Sequence, residues 1–252
     1  MKKIRLRLPG SHVGTLGAEL DIPDDGHIRA YAIFSHCFTC SRNIKSFHII
    51  SEILASHGIG VLRFDFTGIG DSEGTFSETN FASDVDDIVA VAEYMAANYQ
   101  PVKILIGHSM GGTASLLEAQ RIPSIEACVT LSAPSDPGHV ARHFIGKRPE
   151  VNKRGTAEIT LGGNHFTISN KFFYDLDYKE DGSELSAYQK PLLIYQSHDD
   201  DMLEYEHAMR LLKHCGHPRS LISHTEADHL LNRQEHAEYI SKIIADWLEA
   251  YI

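Results

Sequence analysis

Val102-Lys103-Ile104-Leu105-Ile106-Gly107-His108-Ser109-Met110-Gly111-Gly112-Thr113-Ala114-Ser115-Leu116-Leu117 runs from a short apolar stretch, through a Gly-x-Ser-x-Gly turn, into a segment of small and apolar residues. The first part reads as a buried strand and the last as a helix packed close to it. A sharp strand-to-helix turn lifts a serine hydroxyl out at the carboxyl end of a sheet, the setting a nucleophile requires. The flanking glycines let neighbouring backbone approach. A second copy of the pattern, Gly70-Asp71-Ser72-Glu73-Gly74, is followed by Thr75-Phe76-Ser77 and no helical periodicity, so it reads as a glycine-rich loop. Composition alone yields the pattern by chance in roughly one such chain in ten. The setting, not the pattern, makes Ser109 the candidate nucleophile.

The same rhythm of strand and helix continues to both sides. Strands are predicted over residues 29–34, 60–66, 102–106, 125–131, 191–196 and 219–223, and helices over 44–57, 84–98, 112–121, 203–215 and 234–251, with an antiparallel pair at 4–8 and 15–22 ahead of them. This alternation implies βαβ units and a mostly parallel, doubly wound α/β sheet covered on both faces. At 252 residues and 42% hydrophobic content, a single domain over 1–252 is expected. Between about 136 and 190 the rhythm breaks over a length too great for a bare connection. That stretch holds a hairpin pattern about Gly162-Gly163 and the apolar Phe144, Phe172 and Phe173, and is read as a cap or lid insertion shaping an acyl pocket.

Lys and Arg number 23 against 34 Asp and Glu, a formal charge of −11 that repels phosphate backbones and anionic lipid. Nucleic-acid and membrane partners are therefore not expected. The basic residues 2–7 lead into Pro9-Gly10 instead of the apolar run of a signal peptide. Four cysteines in a chain of this length do not make a disulfide scaffold, so they are expected as thiols in a reducing, cytoplasmic compartment.

A serine nucleophile needs a histidine to take its proton and an acid to fix that histidine's tautomer. With 16 histidines, position must decide. His229 lies in Glu226-Ala227-Asp228-His229-Leu230, between the last strand and the closing helix, and Asp199, Asp200 and Asp201 lie just past the preceding strand. Asp200 sits in the middle of the turn and is preferred as the acid. Asp199 is the runner-up, and Asp201 suits the N-terminus of the following helix. The oxyanion hole is expected from the backbone N–H of Met110 and a second N–H at Phe38, with Cys37 as the alternative.

His36-Cys37-Phe38-Thr39-Cys40, residues 64–74, the Ser109 turn, Ala133-Pro134-Ser135-Asp136-Pro137 and Ala227-Asp228-His229-Leu230-Leu231 together resemble the α/β hydrolase domain often fused ahead of an osmotically inducible protein C (OsmC) type domain. The resemblance runs from Gly14 to the last helix. It implies an α/β hydrolase fold with Ser109, Asp200 and His229 as the triad, and it brings an OsmC-type partner in trans into view. Cys37 stands where most α/β hydrolases have glycine.

Cys37-x-x-Cys40 also fits a redox motif at a helix start; the plainer reading is two small buried residues packing the oxyanion loop. Cys128 and Cys215 lie far along the chain with no second C-x-x-C, so no zinc site is expected. The basic pairs Lys147-Arg148 and Lys153-Arg154 read as solvated surface. The expected function is a serine hydrolase of carboxylic esters with small or short acyl groups, working through an acyl-enzyme on Ser109 without cofactor or metal. Its alternatives are a thioesterase or amide deacylase using the same triad, and a non-catalytic module partnering an OsmC-type protein.

Overall fold

The computed structural model describes residues 1–12, 14–161, 163–178 and 182–252. Eight strands form one sheet: β1 (Lys2–Pro9), β2 (Thr15–Ile22), β3 (Ala30–Ser35), β4 (Ile59–Phe64), β5 (Ile104–His108), β6 (Ala127–Leu131) and, beyond the insertion, the strands over Leu192–Ser197 and Arg219–His224. The insertion contributes β7 (Thr156–Leu161) and β8 (Asn164–Ser169), so the last two sheet strands are β9 and β10. The spatial order is β1-β2-β4-β3-β5-β6-β9-β10, with β2 antiparallel to both its neighbours, β1 and β4, and the pairs from β4 to β10 all parallel. The chain leaves β3 for β4 on one side and then returns to β5 on the other. Loops after β3 and β5 therefore diverge at the carboxyl edge and open a crevice there, where open α/β sheets bind ligands.

Strands β3, β4, β5, β6 and β9 are buried along their whole length, as a sheet covered on both faces requires. On one face α1 (Lys45–Ser56) and the closing helix (Gln234–Leu248) bring Phe47, Ile50, Leu54, Ile240 and Ile244 against Phe34, Ile106 and Tyr195. On the other, α2 (Phe81–Asn98), α3 (Met110–Glu118) and the helix over Glu206–His214 pack Ile88, Val91, Met95, Ala114 and Leu211 against Ile33, Leu62 and Leu105. The short helices α4 (His139–His143) and α5 (Arg148–Arg154) precede the helices over Glu206–His214 and Gln234–Leu248, which are thus α6 and α7. Among the described residues no helix is long and apolar enough to cross a membrane.

Residues 136–190 carry α4, α5, the β7–β8 hairpin and, among the described residues, three 3-10 segments around a small core of their own, including Val151, Ile159, Ile168, Phe172 and Phe173. The expected hairpin is present as an antiparallel pair, Leu161 opposite Asn164, with Gly162 outside the described residues. The basic pairs sit on or beside α5, where Lys147 and Arg154 both pair with Glu150 at its solvent face. Element ends shift by a few residues from the expected ranges, and one shift bears on the site: α6 begins at Glu206, not 203, so Asp201 lies on an exposed bend short of it and does not serve its N-terminus. The carboxylate of Asp200 accepts the Met202 and Leu203 amides, which holds the chain in a turn and delays the helix.

Candidate active site

Ser109 has φ 52° and ψ −126°, a conformation that costs a non-glycine residue on the order of 1–3 kcal/mol. The fold over-determines it: the Ser109 N–H donates to Leu131 O on β6 (2.8 Å) while the Ser109 carbonyl accepts Gly112 N–H (2.8 Å). The glycines answer a need for contact. A Cβ on Gly107 would stand 2.3 Å from Gly111 O, and one on Gly111 2.3 Å from His36 O. Met110 starts α3, so its N–H is among the helix's first four and has no intrahelical acceptor.

The structure brings His229 and Asp200 together. His229 Nδ1 lies 3.0 and 2.9 Å from the two carboxylate oxygens of Asp200, whose side chain is fully buried. Burial pushes that carboxyl up. The His229 hydrogen bond and charge, the Met202 amide and the Ser132 hydroxyl together outweigh it and hold the group below the usual carboxylate range. Asp199, the runner-up, points elsewhere: its Oδ2 accepts Glu226 N–H at 2.6 Å and ties the acid loop to the histidine loop.

Phe38 follows β3 in a loop held by His36. Phe66 N–H donates to His36 Nε2 (3.1 Å), so Nδ1 carries the proton and donates to Cys37 O (2.7 Å). Cys37 and Cys40 are joined as a disulfide, which corrects the expectation of thiols at these two positions; their Cα atoms are 5.2 Å apart because the intervening turn folds the loop back. Cys128 and Cys215 are free and buried.

A solved esterase domain from a Rhodothermus marinus protein is 35% identical to this chain, covers 100% of it and 99% of itself, and superposes with a TM-score of 0.79. The chain belongs to the α/β hydrolase superfamily. The family model described as serine aminopeptidase S33 matches residues 27–148, which run from just before β3 to the first residue of α5 and include the Ser109 turn. Est1E from Butyrivibrio proteoclasticus, solved with ferulic acid bound, shares the fold at 21% identity and a TM-score of 0.80 over 98% of each chain. Palmitoyl-protein thioesterase ABHD10 of Rattus norvegicus is 29% identical over 151 residues, 58% of this chain; the match spans about half the length (48%) of that protein.

In this α/β hydrolase a small pocket opens beside Met110 and Phe38. Phe76, Phe81, Ile168 and Phe172 wall it, and Asp84 and Asp175 contribute carboxyls. Burial, with Asp87 and Asp175 nearby, raises the Asp84 carboxyl well above its ordinary range, and burial raises Asp175 to about 7 although it accepts Phe81 N–H. Of the three aromatics assigned to the pocket by sequence, only Phe172 lines it. Phe173 and Phe144 pack against Phe172 in the cap's core, with ring centroids 5.3 and 6.1 Å away.

Sequence reasoning missed three positioning groups of the hydrolase. His108 Nε2 meets His229 O at 2.6 Å and its ring lies 4.8 Å from that of His229, so the residue before Ser109 holds the His229 loop. Burial, reinforced by His229, lowers His108 to about 3 and keeps it neutral. Gln196 Nε2 donates to Asp200 Oδ2 (3.1 Å), and Ser132, at φ 47°, donates to the same carboxylate. The residue before Ser109 was visible in its motif; Gln196 and Ser132 lie at strand ends with no pattern to mark them.

Proposed function

We propose that the protein hydrolyses carboxylic esters through an acyl-enzyme on Ser109. The observation that carries this reading is the His229 contact. Both oxygens of buried Asp200 engage Nδ1, which leaves Nε2 as the nitrogen that exchanges a proton with Ser109. Ser109 Oγ attacks the acyl carbonyl as Nε2 takes its proton. The tetrahedral oxyanion accepts hydrogen bonds from the Met110 and Phe38 amides. Collapse breaks the ester C–O bond, and the imidazolium returns the proton to the departing alcohol. Water then attacks the acyl-enzyme with His229 as base, releasing the acid and restoring Ser109.

Asp200 stays ionised beside the imidazolium and fixes its tautomer. The segment 136–190 acts as a cap, and Phe172, Phe76 and Phe81 offer an apolar surface to a short acyl group. Support for ester chemistry also comes from the likeness to the Rhodothermus marinus esterase domain. A thioester reading has one observation in its favour, the likeness to the rat thioesterase. The same nucleophile serves both, since only the leaving group changes.

The test is turnover of a panel of p-nitrophenyl esters and acyl thioesters, together with fluorophosphonate labelling and peptide mapping. The expected adduct is on Ser109, with short-chain esters preferred. An adduct on Ser72, or turnover that survives Ser109→Ala, rules the reading out.

A further inference from the structure

The oxyanion loop is built as a four-residue ring between two fixed posts. On the β3 side, buried His36 bonds Phe66 N–H and Cys37 O. On the far side, Arg42 N–H donates to Asp65 Oδ1 (2.7 Å), its guanidinium is paired with both Asp65 and Asp71, and its carbonyl accepts Arg63 Nη1. Between the posts, Thr39 has φ 62° and Cys40 N–H donates to Cys37 O (3.1 Å). The disulfide Cys37–Cys40 closes this ring around Phe38. The Phe38 side chain packs on Phe76 and Phe172, with centroids 5.3 and 5.4 Å away, so the ring also borders the acyl pocket.

We propose that the Cys37–Cys40 disulfide is a positioning element for the Phe38 oxyanion donor, and that thiol–disulfide exchange at this pair sets the turnover rate. The proposal rests on the ester reading of Ser109. A left-handed Thr39 is costly for a β-branched residue, and the covalent ring offsets that cost by holding the turn closed. Opened, the loop relaxes and the Phe38 N–H leaves its place. The exchange needs an external dithiol. One of its thiolates attacks the sulfur of Cys40, which is partly exposed while Cys37 is buried. The S–S bond breaks, and Cys37 leaves as a thiolate and takes a proton. The second sulfur of the reagent then displaces Cys40, which also takes a proton, so two electrons and two protons pass to the protein and the dithiol becomes a disulfide. The other two cysteines do not compete, because burial raises the thiol of Cys215 to about 12 and that of Cys128 higher still.

The experiment measures ester turnover by the full chain equilibrated in oxidised and reduced dithiothreitol, with the state of each cysteine read in parallel by alkylation and mass spectrometry. Outright loss of one oxyanion donor costs roughly 10²–10³ in kcat; a displaced one should cost about tenfold, with KM within about twofold, in step with the fraction reduced. The double variant Cys37→Ser, Cys40→Ser should show the reduced kcat in both buffers, and Cys128→Ser, Cys215→Ser should respond as the wild type does. The proposal is overturned by an unchanged kcat across a verified disulfide-to-dithiol transition, by absence of the disulfide in the oxidising buffer, or by a fall in kcat that follows loss of folded protein in circular dichroism. Failure of the ester reading looks different, since Ser109→Ala would then match the wild type in both buffers. Where no ester is turned over, the rate of Ser109 phosphonylation, which places an oxyanion in the same hole, carries the same comparison.

Discussion

The two Gly-x-Ser-x-Gly copies spend their backbone freedom in opposite ways. In residues 107–111 the positive φ falls on the serine, and the glycines make room for crossing backbone. In residues 70–74 the positive φ falls on Gly70 (54°) and Gly74 (97°), and Ser72 is an ordinary loop residue. Its Oγ donates to Asp65 O (2.5 Å) and accepts Gly17 N–H (2.9 Å), so its hydroxyl is consumed by the scaffold. Their acids differ as well. Arg42 holds Asp71 below its ordinary range beside the second copy, while burial lifts Asp84 and Asp175 in the pocket next to the first. The same five-residue pattern thus puts the strained backbone on its serine where a buried strand precedes it and a helix follows, and on its glycines where it forms a loop.

The sharpest way to break this contrast is at the serine itself. Ser109→Gly should lower kcat by about 10⁴ or more in the ester assay. The same change should stabilise the fold by about 1–2 kcal/mol in urea denaturation, because glycine accepts φ 52° without strain. A variant that loses both activity and stability would show that Ser109 is held by its contacts and not against its preference. Next in size, Asp200→Asn should preserve folding and lower kcat by roughly 10³–10⁴ as tautomer control fails. Asp199→Asn should cost under about tenfold, through the Glu226 amide alone. Reversal of that order in steady-state kinetics would transfer the acid's role to Asp199.

Asp175 is raised from 3.8 to about 7, so the folded state keeps its proton where the unfolded chain has lost it. Its stabilising contribution is therefore complete below about pH 4 and disappears as pH rises through about 7. Relative to the wild type, Asp175→Asn should gain about 2–3 kcal/mol between pH 5 and pH 8.5, read as the difference between two urea titrations at each pH. A difference that stays flat with pH would mean that Asp175 is ionised in the folded protein.

How much of this was legible in the sequence follows from which features repeat. The β5–α3 turn, the loop after β3 and the Asp200 turn all sit at the ends of apolar runs, where strand length fixes which residue emerges. The cap offers no such ruler. Phe172 and Phe173 lie in a 3-10 segment over Asn170–Asp177, too short for a period to tell which ring faces the pocket. The pairing of Cys37 with Cys40 depends on Thr39 reaching φ 62°, which no residue type announces. The start of α6 departs from the periodicity because Leu203 fits a helical series, whereas the Asp200 carboxylate accepts the Met202 and Leu203 amides. Side-chain capture of backbone overrode periodicity there.

The smallest expected effect belongs to Ser72, and it tests the contrast from the silent side. Removing its hydroxyl leaves Gly17 N–H without its acceptor and Asp65 O without its donor, in a half-buried loop joining β2 to the end of β4. Each neutral hydrogen bond is worth about 0.5–1.5 kcal/mol net, and part of the loss is recovered because water reaches this edge. Ser72→Ala should therefore cost about 1–2 kcal/mol, a Tm lower by roughly 2–8 °C for a chain of this size. Turnover should stay within about twofold, because the Ser72 hydroxyl bonds Gly17 N–H and Asp65 O, and neither is a group of the active site. A calorimetric Tm equal to the wild type would deny the hydroxyl its scaffold role. If instead turnover falls by tenfold or more with Tm unchanged, the second copy takes part in the chemistry and the contrast between the two serines is lost.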